Sequence, residues 1–97
     1  MPFDIVFAPE AIEDLRHLRA ADRATLKEAL ETHLRHEPTK ASRSRIKRLR
    51  ALSRPQYRLR VGDIRVFYDV AEQTVEVLAI VQKSEATSWL AKFGSPE

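Results

Sequence analysis

Apolar residues recur at two spacings in the first half of the chain, and each spacing predicts a different element. Every second residue is apolar in Phe3–Phe7, which is typical of a strand with one buried face. Over residues 10–19 the apolar positions return at helical spacing, and Pro9 suits the first turn of that helix. A second helix is predicted to begin at an Asp22 cap and to end before Pro38. We expect the two helices to form an antiparallel pair.

The strongest local signal is the stretch YRLRVGDIRVFYDV, which predicts a hairpin. Tyr57–Val61 and Ile64–Val70 read as strands, and Gly62-Asp63 reads as their turn because glycine accepts a positive φ. Such a turn sets Arg60 opposite Arg65 and Tyr57 opposite Tyr68. One face of the hairpin is then apolar, and the other carries Arg58, Arg60, Arg65 and Phe67.

Three further segments complete the predicted fold. Ile46–Leu52 alternates basic and apolar residues and predicts a short strand, whereas the nearly continuous apolar run Val75–Val81 predicts a strand covered on both faces. Ser84 is expected to cap a last helix that ends at Gly94. The prediction is an α+β fold: two N-terminal helices packed on a small, mostly antiparallel twisted sheet, with a short C-terminal helix. At 97 residues the chain is expected to be a single domain, residues 1–97.

Charge is distributed unevenly along the chain. Between Lys40 and Arg65 ten basic residues stand against one acid, so this segment carries +9 although the whole chain carries +3. Clustered Lys and Arg side chains attract phosphate backbones, and we interpret the segment as an RNA or phosphate site. The alternative is a solvated surface whose charges pair with the acidic helices. Within the hairpin, the alternative is that Asp69 and Glu76 offset the repulsion of the arginines. Four residues near the hairpin are predicted to contact RNA: Lys47, Arg48, Arg50 and Arg54.

The charge pattern within the hairpin favours a functional site over a purely structural one. Like charges directly opposite each other on a sheet cost about 0.2 to 1 kcal/mol. Arg60 facing Arg65 is therefore unfavourable for stability alone, and such local conflicts are expected where a protein binds a ligand.

Other kinds of chemistry find no support in the sequence. The chain has no cysteine, which leaves no disulfide or thiolate metal site and fits a reducing compartment. His33 and His36 are three residues apart, but no third metal ligand accompanies them. No apolar run has the length of a membrane span, and the N-terminus lacks the basic start of a signal peptide. We expect a cytoplasmic protein that binds no metal, no cofactor and no membrane.

The hairpin stretch, within its predicted βαα and strand-helix surroundings, resembles the RelE/ParE superfamily of bacterial type II toxins. The likeness covers nearly the whole chain and centres on the pattern YRxRxGxxRxxY. It implies a toxin that a cognate antitoxin neutralises, with operator DNA bound only through the toxin–antitoxin complex. The RelE branch implies ribosome-dependent cleavage of mRNA, which we favour. The ParE branch implies inhibition of DNA gyrase, and a non-catalytic nucleic-acid-binding toxin is a further alternative.

The resemblance to the RelE branch also implies roles for the hairpin arginines. Arg58 and Arg60 fall where that branch has two lysines, and Arg65 falls on its hairpin arginine. The arginine expected after the last strand is replaced by Ser84, and the tyrosine of the terminal helix is replaced by Leu90. The three arginines are therefore predicted catalytic residues, in a site that lacks two groups of the RelE pattern.

RNA cleavage without a metal needs a base, an acid and cations to stabilise the phosphorane. Arginine supplies cations but is a poor base because its pKa stays above roughly 12. Lys83 is therefore the fourth predicted catalytic residue, as base or acid, and the alternatives are Glu85, Asp69 and Tyr68. Trp89 is predicted either to stack on an RNA base or to anchor the terminal helix in the core.

Overall fold

The computed structural model describes all of residues 1–97. It contains, in chain order, β1 Asp4–Phe7, α1 Pro9–Arg16, α2 Ala20–Leu34, β2 Ile46–Arg48, β3 Leu52–Arg54, β4 Tyr57–Val61, β5 Ile64–Ala71, β6 Thr74–Gln82, α3 Ala86–Phe93 and β7 Ser95–Pro96. A turn of 3₁₀ helix, Lys83–Glu85, joins β6 to α3. The predicted α+β class is confirmed.

Five strands form the main sheet in the order β1-β6-β5-β4-β2, and only the β1–β6 pair is parallel. The register of the β4–β5 hairpin is the predicted one, with Tyr57 opposite Tyr68 and Arg60 opposite Arg65. Gly62 has a φ of +58° at the turn, which explains why glycine is suited to that position. The two short strands β3 and β7 form a separate antiparallel pair.

The main core lies between one face of the sheet and the two N-terminal helices. The helices contribute Ala11, Leu26, Leu30 and Leu34, and the hairpin contributes its predicted apolar face. Leu59 and Val66 are opposite each other at the centre of that face, and both are fully buried. Ile12, which the helical pattern assigned to the apolar stripe, is 45% exposed because α1 presents Ala11 to the sheet instead.

Tyr68 fixes the long connection after α2 to the sheet. Its hydroxyl donates a hydrogen bond of 2.7 Å to the carbonyl of Pro38, and its ring stacks on Tyr57 at 5.4 Å between centroids. Burial raises the pKa of Tyr68 above its usual value. The phenol is therefore a structural group on the helix-covered face of the sheet.

The helix ends differ from the sequence-based prediction. The first helix stops at Arg16, and α2 begins at Ala20, so Asp22 lies inside its first turn. Asp22 does not cap the helix; its carboxylate pairs with Arg19 at 3.4 Å and still interacts favourably with the positive helix terminus. The second helix ends at Leu34, four residues before Pro38.

Two other local predictions are wrong. Ser84 does not cap the terminal helix, because a 3₁₀ turn precedes it and Glu85 occupies the cap position without a side-chain bond. The predicted strand Ile46–Leu52 is interrupted after Arg48, and Ala51 adopts a φ of +61° that redirects the chain. Strand β3 then pairs with the C-terminal β7 rather than with the main sheet.

Helix α3 covers part of the second face of the sheet, opposite the main core. Phe67 is fully buried there and stacks on Trp89, with ring centroids 4.9 Å apart and an angle of 8° between the planes. Leu78 and Ala79 of β6 are also buried. The expectation that β6 is covered on both faces is confirmed for the middle of the strand.

None of the three α-helices combines the length and the apolar composition that a membrane-spanning helix needs.

Candidate nucleic-acid interface

The uncovered part of the second sheet face is basic. Arg58, Arg60 and Arg65 point to this face because they alternate with the core residues of the hairpin. We call these three residues the arginine cluster. Lys47 of the edge strand β2 pairs with Arg58 and extends the basic surface to the sheet edge.

Arg65 is the most rigidly held member of the arginine cluster. It is only 6% exposed, and one terminal nitrogen donates to the carbonyls of Gly62 at 2.8 Å and Ile64 at 3.1 Å. Gly62 lies in the hairpin turn, and Ile64 is the first residue of β5. The turn that the sequence predicts therefore also orients a guanidinium group, whose remaining donors form no hydrogen bond within the protein.

Arg58 is half-buried and incompletely satisfied. Its Nε is buried and has no hydrogen-bond partner. Burial lowers the pKa of Arg58, and the nearby charges of Arg65 and Arg60 lower it further. The three guanidinium groups thus repel one another in a partly desolvated setting, which an anion would relieve.

No carboxylate of the protein forms an ion pair with the arginine cluster. Asp69 and Glu76, which the alternative interpretation used to offset the cluster, both pair with Arg54 instead. The Arg54 contacts are 3.7 Å to Asp69 and 3.4 Å to Glu76. The offsetting role proposed for these two acids is therefore wrong, and the cluster is left without an internal counter-ion.

The other residues predicted to contact RNA are dispersed. Lys47 lies beside the arginine cluster, but Arg48 points to the opposite side, over the ring of Tyr57 at 5.3 Å. Arg50 is exposed in the connection between β2 and β3. Arg54 is occupied by its two ion pairs. The structure brings only one of the four to the cluster.

Trp89 borders the arginine cluster through its packing on Phe67. Phe67 is directly opposite Arg58 and two residues from Arg65. One face of the indole is used in this stack, as the core-anchor alternative expected, and the side chain remains partly exposed. A role of Trp89 in base stacking stays a prediction.

Lys83 lies at the end of the sheet where the hairpin turns. Its backbone N–H donates to the carbonyl of Asp63 at 2.7 Å, and the residue is exposed. Of the three alternatives for a catalytic base, Tyr68 is buried on the other face and Asp69 is held by Arg54. Glu85, in the same 3₁₀ turn as Lys83, is the one that remains exposed.

A family model described as the ParE toxin of type II toxin-antitoxin systems, parDE, matches residues 5–87. The chain belongs to this toxin family. The resemblance to the RelE/ParE superfamily and the expected function as the toxin of a type II system are thereby confirmed. No curated protein sequence matches the toxin.

Solved structures reproduce the fold over most of the toxin. The RelBE2 toxin–antitoxin complex from Mycobacterium tuberculosis matches with a TM-score of 0.73 and 25% identity, over 84% of this chain and 99% of that one. An archaeal RelE–RelB complex from Pyrococcus horikoshii gives 0.70 and 22%, over 86% and 97%. The isolated RelE toxin of E. coli gives 0.61 and 19%, over 91% and 98%.

The geometry of the toxin's site suits phosphate binding better than proton transfer. Three guanidinium groups and one ammonium group share a sheet face, which provides several donors for the oxygens of a phosphodiester. No three imidazole or carboxylate groups lie close enough together to hold a metal ion. The arginine cluster itself supplies positive charge but no group that readily accepts a proton.

Proposed function

We propose that the toxin inhibits translation by cleaving mRNA on the ribosome, with the arginine cluster binding the scissile phosphate. The observation that carries this proposal is the absence of any carboxylate partner for Arg58, Arg60 and Arg65. A purely structural cluster of cations would be expected to have acidic neighbours, since unpaired partly buried charges are costly.

The proposed reaction is attack by the ribose 2′-oxygen on the adjacent phosphorus. The bond from phosphorus to the 5′-oxygen breaks, which leaves a 2′,3′-cyclic phosphate and a 5′-hydroxyl. The arginine cluster stabilises the negative charge that builds up on the phosphorane. Lys83 in its neutral form accepts the 2′-hydroxyl proton while a solvent water protonates the leaving 5′-oxygen; in its charged form it protonates the 5′-oxygen while water accepts the 2′-hydroxyl proton. Binding on the ribosome would align the reacting atoms and supply part of the acceleration.

The proposal includes a cognate antitoxin as the physiological partner. Support comes from the solved relatives, since the M. tuberculosis structure is described as a toxin-antitoxin complex and the P. horikoshii structure as a RelE-RelB complex. An antitoxin that covers the arginine cluster would exclude RNA from it. Operator DNA would be bound only by the complex, and the mRNA target would place the toxin in the cytoplasm.

A second candidate function is inhibition of DNA gyrase. The matching family model is that of the ParE toxin, and this chain has Ser84 and Leu90 where the RelE branch has an arginine and a tyrosine. Arg58 and Arg60 also replace the two lysines of that branch. These differences leave phosphate binding intact but reduce the number of groups able to transfer a proton.

Mapping of mRNA 5′ ends after induction of the toxin in cells separates the two functions. Codon-phased cuts, reproduced with purified toxin and programmed ribosomes, are the expected result. Intact mRNA together with gyrase-linked DNA breaks would contradict the ribonuclease. Arg60→Ala should abolish the cuts, whereas Arg50→Ala removes an equal charge from an exposed position outside the cluster and should retain them.

A further inference from the structure

A cleft of about 420 Å³ lies between the start of α1 and the end of α3. Its walls include Leu78, Trp89 and Phe93, and two carboxylates, Glu10 and Asp14, enter it from α1. Trp89 therefore belongs both to this cleft and to the aromatic stack beside the arginine cluster. The cleft is separate from the cluster and combines apolar walls with the opposite charge.

The two carboxylates of the cleft have no cationic partner. Neither Glu10 nor Asp14 takes part in any ion pair of the protein. Asp14 Oδ2 accepts a 2.9 Å hydrogen bond from the backbone N–H of Ile80. Arg54 also lines the cleft, but its charge is already shared between Asp69 and Glu76. Two carboxylates and one guanidinium group line the cleft, so its lining carries net negative charge.

The apolar walls are partly open to solvent. Phe93 is 56% exposed, and it is one of only four large apolar residues that are exposed in the protein. Trp89 has one face against Phe67 and lies 5.5 Å from the Phe93 ring, measured between centroids. Aromatic rings beside carboxylates form a favourable environment for a cation on an apolar stem, since the rings attract the charge and cover the methylene groups.

We propose that this cleft binds an arginine or lysine side chain from an apolar segment of the cognate antitoxin. The partner as an antitoxin rests on the proposed function, whereas the preference for a cationic side chain rests on the cleft alone. The charge of the cleft argues against nucleic acid as the occupant, because Glu10 and Asp14 would repel a phosphate backbone. A basic anchor would relieve the mutual repulsion of the two carboxylates and cover Phe93.

The preference of the cleft for a cationic side chain is measurable with the full-length toxin, because Trp89 is the only tryptophan and lines the cleft. The probe is a short amidated peptide with one arginine between two leucines, and the comparison peptide has citrulline, which is neutral and nearly isosteric. We expect the arginine peptide to change the Trp89 emission and to bind at least about fivefold more tightly than the citrulline peptide. Equal binding of the two peptides, or no response to either at tens of millimolar, would overturn the proposal.

Variants of the carboxylates locate the effect in the cleft. Glu10→Gln and Asp14→Asn should each weaken the arginine peptide by about fivefold without affecting the citrulline peptide. Asn keeps an oxygen acceptor for the Ile80 N–H, so that bond is retained in the variant. Glu28→Gln removes an exposed acid from α2 and should leave binding unchanged. Tighter binding of guanosine than of the arginine peptide would assign the cleft to a nucleobase instead.

Binding of a cationic side chain by the cleft and cleavage of mRNA by the toxin are tested independently. Peptide binding does not require cleavage activity, and Glu10→Gln should cut mRNA as the unmodified toxin does. With an antitoxin encoded beside the toxin gene, replacement of its anchoring arginine or lysine by glutamine should weaken the complex by at least the factor seen for Glu10→Gln. Unchanged affinity in every such antitoxin variant would exclude the antitoxin as the source of the side chain.

Discussion

Arg60 and Arg65 face each other across the hairpin, yet the protein holds them in different ways. Arg60 is exposed and donates no side-chain hydrogen bond, whereas Arg65 is buried and bound to the carbonyl oxygens of Gly62 and Ile64. Sequence alone treats them as equivalent because both alternate with core residues. The difference arises from the turn, whose carbonyl groups are positioned only when the chain has folded.

The two residues should therefore differ in their effect on stability but not in their effect on toxicity. Arg60→Ala is expected to leave the free energy of unfolding unchanged or slightly higher, because it removes a repulsive charge. Arg65→Ala should lower it by about 1.5 kcal/mol through the loss of charged hydrogen bonds. Both variants should lose toxicity. Thermal unfolding and growth after induction test this pair, and equal losses of stability would contradict the assignment.

Arg58 carries the clearest conflict between stability and binding. Its buried Nε has no partner, and its pKa is lowered by burial and by the other two arginines. Arg58→Met keeps the length and apolar stem of the side chain but removes the charge. We expect the free energy of unfolding to rise by about 1 kcal/mol and toxicity to be lost. Arg50→Met, at an exposed position, should alter neither; a destabilised Arg58→Met would show that the charge supports the fold.

At the scale of elements, sequence patterns predicted the structure correctly where one residue type has a strong conformational preference. The hairpin register follows from Gly62, and the apolar alternation of the two strands agrees with it. The break of the predicted strand Ile46–Leu52 had no such signal, because alanine has no preference for the left-handed conformation that Ala51 adopts before β3 pairs with the C-terminal β7. The Ser84 cap failed for a similar reason, since a 3₁₀ turn precedes α3.

The two hairpin turns provide a matched test of backbone strain. Gly62 has a φ of +58°, and Glu72, at the corresponding place in the turn from β5 to β6, has a φ of +55°. A Cβ at Gly62 would meet no atom within 4 Å, so Gly62→Ala should cost about 1 kcal/mol from the backbone alone. Glu72→Gly should raise the free energy of unfolding by about 0.5 kcal/mol. Denaturant unfolding measures both, and a stabilised Gly62→Ala variant would contradict the strain.

At the scale of the whole molecule, the uneven charge of the sequence appears as two separate surfaces, the basic arginine cluster and the acidic cleft. The segment from Lys40 to Arg65 carries +9, but folding divides its charges among the arginine cluster, the ion pairs of Arg54 and the opposite side of the sheet. Composition therefore indicated a polyanion site without showing which cations form it. The acidic cleft had no local signal, because Trp89 is far along the chain from Glu10 and Asp14.

The number of cations available to RNA determines how binding responds to salt. Lys47 and the arginine cluster provide four charges free of ion pairs on one face, so the logarithm of the binding constant for a single-stranded oligonucleotide should fall with the logarithm of salt concentration at a slope of about −3. A 2′-deoxy oligonucleotide allows this measurement without cleavage, by fluorescence anisotropy. Arg60→Ala should reduce the slope by about 0.7, whereas Arg54→Ala should leave it unchanged because Arg54 is already paired. A slope that responds equally to both variants would mean that RNA follows the whole basic segment rather than the arginine cluster.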